Sequence, residues 1–185
     1  MEIVDHLASE QLPRKLGDTA RVSPLLRRVY QLSGSREDQL GEWLLKCAVA
    51  RGATHYERDF SKDLPPDDAS LGDEELGVAL CIGERSYDSA SIRAAAQLLS
   101  SPRIDAQRLA KLAVMERVEP VLLHIASIAA RFAPGAQPWA FLLSRLPQRL
   151  SPPPNALPHW SRFVSQTGVT AFGGGPEIKW LWRRV

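Results

Sequence analysis

The chain has 185 residues, 44% of them hydrophobic and 24% charged, with a formal net charge of +2. That balance suits one globular domain, or one domain with a small appendage, and sets aside a disordered chain. Two cysteines, Cys47 and Cys81, are too few for a disulfide framework, and each sits in an apolar run, the setting of a buried thiol in a reducing compartment.

The opening stretch, MEIVDHLASEQLPRKLG, carries acids early and has no long apolar core, which is the pattern of neither a signal peptide nor a transit sequence. No apolar run approaches the roughly 20 residues of a membrane span. The expectation is a cytoplasmic protein that does not engage a membrane.

Helix punctuation then recurs along the chain. Ser23-Pro24 opens LLRRVYQLSG, with Ser23 as N-cap, proline at the first helical position and Gly34 just past the end. Ser35 is placed to cap the next helix, REDQLGEWLLKCAVARG, which Gly52 ends. Its apolar residues Leu40, Trp43, Leu44, Cys47 and Ala48 fall at the spacing of one core-facing stripe. Residues 53–72 lack a period, contain Pro65-Pro66 and read as a long loop. Loops beyond about 12–15 residues are often functional. From Asp73 the chain is helical again, although GVALCIG alone fits a buried strand equally well. Asp88 caps the alanine-rich SASIRAAAQLLSS, and Asp105 caps AQRLAKLAVMER. Pro120 suits the first position of VLLHIASIAARF, a helix that must stop before Pro134. A short helix, PWAFLLSRL, runs between Pro138 and Pro147.

SPPPNALP, residues 151–158, is the clearest linker, and beyond it the period changes. Ile178, Trp180 and Trp182 alternate with Lys179, Leu181 and Arg183, so VTAF (169–172), a GGGP turn and EIKWLW are expected to form a hairpin. The class expected is therefore mainly α: a helical bundle or helical-hairpin array of about six to eight helices with a small C-terminal β-hairpin appendage. The division follows as a helical domain over 1–150, a proline-rich linker over 151–158 and a Trp/Arg-rich appendage over 159–185.

Charge is unevenly spread. Residues 53–76 hold eight acids against two bases, a net −6, while residues 145–185 hold six bases against one acid, a net +5. The two segments can attract each other within the fold, or the basic tail can face an anionic partner.

Signals for chemistry are sparse. A phosphate loop needs glycines whose N–H groups converge ahead of a helix, but the C-terminal GGG is followed by proline and a strand-like run. The histidines His6, His55, His124 and His159 show no metal spacing, and there is no CxxC. His124, within VLLHIA, reads as a hydrogen-bonded core or boundary histidine. His55, Glu57 and Asp59 cluster on the long loop, where a base oriented by an acid is conceivable, but such clusters are usually solvated surface. No nucleophile elbow, kinase or dinucleotide signature is present. The expectation is a protein that is not an enzyme and uses no cofactor or metal.

Over residues 91–132 the rhythm RLAKLAVMERVEPVLLHIA resembles a helix-turn-helix, which would imply DNA binding. Against that, Arg117 occupies the turn position where glycine is usual. The second helix is strongly apolar, offering only His124, Ser127 and Arg131 to a groove. A packed helical hairpin accounts for the same pattern. The C-terminal run supplies the remaining candidates: Trp180, Trp182, Lys179, Arg183 and Arg184 form either a stacking platform for nucleic acid or a protein-binding edge. Aromatics and arginine are the residue types of interface hot spots, so the expected function is a non-enzymatic protein-binding adaptor or assembly component, with nucleic-acid binding as the alternative.

Overall fold

The computed structural model describes residues 23–34, 39–53, 70–82, 88–148, 156–167 and 177–180. Local capping sets where most helices begin. In α1 (Pro24–Ser33) the Ser23 hydroxyl accepts from the Leu26 N–H at 2.9 Å, and Gly34 closes the helix in the left-handed region. Helix α2 (Leu40–Ala50) starts after Gln39 rather than at a Ser35 cap, which lies outside the described residues. Its C-terminus is closed by Gly52 at φ 98°, where the N–H groups of Gly52 and Ala53 bond the carbonyls of Val49 and Ala48.

Helix α3 (Asp73–Cys81) resolves the ambiguity of GVALCIG over its described residues: the run is helical to Cys81, and Ile82 is extended. Asp88 opens α4 (Ser89–Leu99) by accepting from Ala90 and Ser91, and Asp105 opens α5 (Ala106–Met115) by accepting from Gln107 and Arg108. Helix α6 (Glu119–Phe132) begins one residue ahead of Pro120, and α7 (Trp139–Arg145) completes the body. Seven α-helices among the described residues make the chain mainly helical, as its punctuation predicts. The VTAF segment and the GGGP turn lie outside the described residues, as do His55, Glu57 and Asp59 of the long loop.

Burial converts these elements into one core. All seven helices contribute to a single apolar cluster, with Trp139 and Phe163 its largest fully buried side chains. The Trp139 indole donates to Ser100 Oγ at 3.1 Å, so its polar edge is satisfied inside the protein. The alanines that give α4 its helix propensity also let neighbours approach, for Ala94, Ala95 and Ala96 are all fully buried. Helices α3 and α4 make the most extensive helix–helix contact. Their approach depends on Gly77, where an added Cβ would lie 2.5 Å from Leu99 Cγ. Leu99 is itself fully buried and has no room to retreat.

Charged groups hold the helices in order at the N-terminus of α3. Its first turn is Asp73, Glu74 and Glu75, the charge sign a helix N-terminus favours. Glu75 accepts from the Gly72 N–H at 2.9 Å and from Arg28 of α1 at 2.6 Å, with Arg108 of α5 at 3.5 Å. Arg28 also donates to the Ser70 carbonyl. Glu74 accepts from the Asp105 N–H at 2.8 Å, positioning the cap of α5, and Asp73 pairs with Arg51 at the end of α2 at 3.1 Å. At the N-terminus of α1, Glu116 accepts from Ser23 Oγ at 2.5 Å and from the Leu25 N–H at 3.1 Å. No helix of the described residues is long and apolar enough to cross a membrane.

The crossing at Gly77 makes a paired prediction. Gly77→Ala forces overpacking against Leu99 and lowers unfolding free energy by roughly 1–2 kcal/mol, despite alanine's better helix propensity. Gly41 is also helical, but its added Cβ would meet nothing within 4 Å. Gly41→Ala therefore leaves stability unchanged or raises it by up to about 1 kcal/mol. Urea unfolding of the two variants beside the parent chain measures both.

Candidate functional site

The strap that follows the proline-rich stretch builds a surface site against α6. Residues 156–163 lie against the outer face of α6 and are fixed at several points. The His124 Nε2–H donates to the Pro158 carbonyl at 2.8 Å, and Arg93 Nε of α4 donates to the Arg162 carbonyl at 3.1 Å. Phe163 enters the core with its ring edge-on to His124, at 6.2 Å between centroids. A 3-10 turn, Trp160–Arg162, places the Trp160 ring 5.8 Å from that of Phe132.

Between strap and helix opens a cleft of about 530 Å³, with Ile128, Leu157 and Pro158 as apolar walls and His124, Ser127, Arg131, His159 and Trp160 around them. Among the described residues, none that lines it is acidic. The Arg131 guanidinium lies over two rings, 5.3 Å from Trp160 and 5.6 Å from Phe132. The His159 ring is 5.2 Å from the same indole. His159 Nδ1 accepts from Ser161, which leaves the proton on Nε2 and makes that atom a donor. The cleft therefore offers hydrogen-bond donors of positive or neutral character above an apolar floor. The Ser127 hydroxyl donates to the His124 carbonyl.

Of the residues singled out from sequence, Lys179 and Trp180 fall in a short extended segment described by its backbone alone. Trp182, Arg183 and Arg184 lie outside the described residues. His124 is a half-buried boundary histidine with a hydrogen bond, as its setting in VLLHIA predicts. The arginine–aromatic cluster escaped the sequence reading. Ser127 and Arg131 are spaced to share the outer face of α6 with His124, but nothing in the chain says that Trp160 returns to cover them.

The helix-turn-helix resemblance divides in two. Arg117 adopts φ 57° at the end of α5, and the N–H groups of Arg117 and Val118 bond the carbonyls of Val114 and Ala113. This is the left-handed turn that glycine usually supplies. The second helix is unlike a groove reader: α6 buries Val121, Leu122, Leu123, Ile125, Ala126, Ile128 and Ala129, and exposes Ser127 and Arg131.

Both cysteines are free and buried, and burial pushes the Cys81 thiol from 9.0 up to about 12. Among the described residues no group of three or more His, Cys, Asp or Glu side chains is placed to hold a metal ion. No known protein family, curated protein or solved structure matches the chain.

The thiols carry a prediction. The folded Cys81 stays protonated where the unfolded one ionises, so its contribution to stability is complete below pH 9 and is lost as pH rises toward 12. Unfolding free energy then falls by at most about 1.4 kcal/mol per pH unit in that window, and Cys81→Ala removes this component of the slope. Urea midpoints between pH 8 and 11 measure it. A disulfide-exchange reagent at pH 8 should label both thiols only as fast as the chain opens.

Proposed function

We propose that the protein is a non-enzymatic adaptor or assembly component of the cytoplasm that works by binding another protein. The observation that carries the reading is the cluster of exposed Arg131 with the half-buried rings of Phe132 and Trp160. Tryptophan and arginine dominate the few interface residues that supply most binding energy, and a ring already stacked under a guanidinium loses little freedom when a partner arrives.

The strap that bears Trp160 leads directly into the C-terminal segment, which extends the same surface in this reading. In this reading the appendage is a hairpin in which Val164–Thr167 runs antiparallel to Glu177–Trp180. The free edge of such a hairpin is a place where a partner strand can add, and Trp180, Trp182, Lys179, Arg183 and Arg184 are its proposed contacts.

Nucleic-acid binding is the alternative, and the left-handed turn at Arg117 together with the basic C-terminal segment favours it. The burial of α6 weighs against it, because base readout relies on several exposed Arg, Lys, Asn or Gln side chains in the groove.

Affinity capture from the native host with the full chain, followed by mass spectrometry and nucleic-acid staining, tests the proposal. The expected result is a protein partner whose recovery falls at least about tenfold when Trp180 and Trp182 are both changed to alanine, with the melting temperature nearly unchanged. If the two tryptophans instead serve the protein's own core, each truncation costs on the order of 3–5 kcal/mol of stability. Recovery of nucleic acid without protein, in a form that dissociates steeply with salt, overturns the reading.

A further inference from the structure

We propose that the cleft between α6 and the strap receives an acidic peptide segment of a partner protein. A carboxylate of that segment sits between Arg131 and His159, and a neighbouring apolar side chain rests on Leu157 and Ile128. The inference rests on the protein-binding reading and specifies the chemistry of the partner.

Charge selects an anion. Among the described residues, Arg131, His124 and His159 line the cleft without an acid, and Arg131 makes no ion pair. Geometry favours a carboxylate in particular. The Arg131 guanidinium carbon is held over the Trp160 and Phe132 rings, at 5.3 and 5.6 Å from their centroids, and the planar N–H fork of arginine matches a two-oxygen partner. His159 flanks the same indole and adds a donor at Nε2. Size and floor select a peptide. A volume of about 530 Å³ takes one or two side chains, too little for a docked helix, and its walls at Ile128, Leu157 and Pro158 are apolar. A nucleic acid would find a single guanidinium here, where phosphate-backbone recognition commonly uses 6–10 contacts at roughly one cation each.

The test is an NMR titration of the full chain, following the rings of His124, His159 and Trp160. The probes are a blocked tetrapeptide LDEF, its neutral counterpart LNQF, inorganic phosphate and a single-stranded oligonucleotide. Saturable shifts at those rings with LDEF are expected, with affinity at least about tenfold weaker for LNQF and for LDEF on Arg131→Gln. Arg131→Lys, which keeps the charge but loses the fork, should fall between. Arg131 is exposed, so Arg131→Gln should keep the parent's amide spectrum away from the cleft. Absence of saturable shifts, equal binding of LNQF, or undiminished binding to Arg131→Gln overturns the proposal. Tighter binding of phosphate or of the oligonucleotide overturns it as well. The two readings fail separately: if a protein partner is still captured by Arg131→Gln at the parent's level, the cleft proposal is wrong and the adaptor stands.

Discussion

Three carboxylates at the start of one helix set the arrangement of the others. Asp73, Glu74 and Glu75 occupy the first turn of α3, and they reach α2 through Arg51, α5 through the Asp105 N–H and Arg108, and α1 through Arg28. Glu74 and Glu75 are buried to within a tenth of full exclusion, so their charge has to be met by protein. It is met by backbone N–H groups at two helix starts and by arginines whose outer halves remain in water. That division matters energetically. The arginines alone, about half exposed, contribute the modest amount typical of surface pairs, while the N–H groups make the cluster directional. Apolar burial drives collapse without choosing a register. These bonds choose it, because each fits only one placement of its helix end.

The consequence runs outward to the surface. With α3 fixed, Gly77 and Leu99 set the depth of the α4 crossing, and α4 in turn presents Arg93 to the Arg162 carbonyl of the strap. Helix α6 is buried on its remaining faces, and its outer stripe carries His124 and Arg131 toward the same strap. Phe163 is fully buried and so locks the strap to the body rather than leaving it as a tether. The cleft is therefore bounded by rigid elements on both sides, which is the condition for a binding site that loses little entropy when filled.

Much of the fold is legible in the sequence, because helix ends are written locally. Ser23, Asp88 and Asp105 cap the helices they precede, and Gly34 and Gly52 close the helices they follow. GVALCIG was ambiguous because both faces of α3 are buried, and all-round burial erases the period that separates helix from strand. The left-handed Arg117 is illegible for a related reason. Its conformation is imposed by the carbonyls of α5 and the entry into α6, not by its own preference. The acidic run at the start of α3 reads in sequence as part of a net-negative segment; only the tertiary placement of Arg28, Arg51 and Arg108 turns it into a buried junction. The cleft was hidden likewise, since Arg131 and Trp160 come from elements separated by α7 and the proline stretch.

Substitution of Glu74 and Glu75 by glutamine in one chain tests the junction most directly, since shape is kept and charge removed. Urea unfolding and native-state hydrogen exchange should be measured together. The account predicts a loss of about 1–3 kcal/mol with the two-state transition retained, because charge-assisted bonds to buried N–H groups are weakened. It also predicts that amides of α1 and α5 exchange faster together, as both helices lose the same anchor. Stability within about 0.5 kcal/mol of the parent, with α1 and α5 protection unchanged, would contradict it, since that is the range of ordinary surface substitutions.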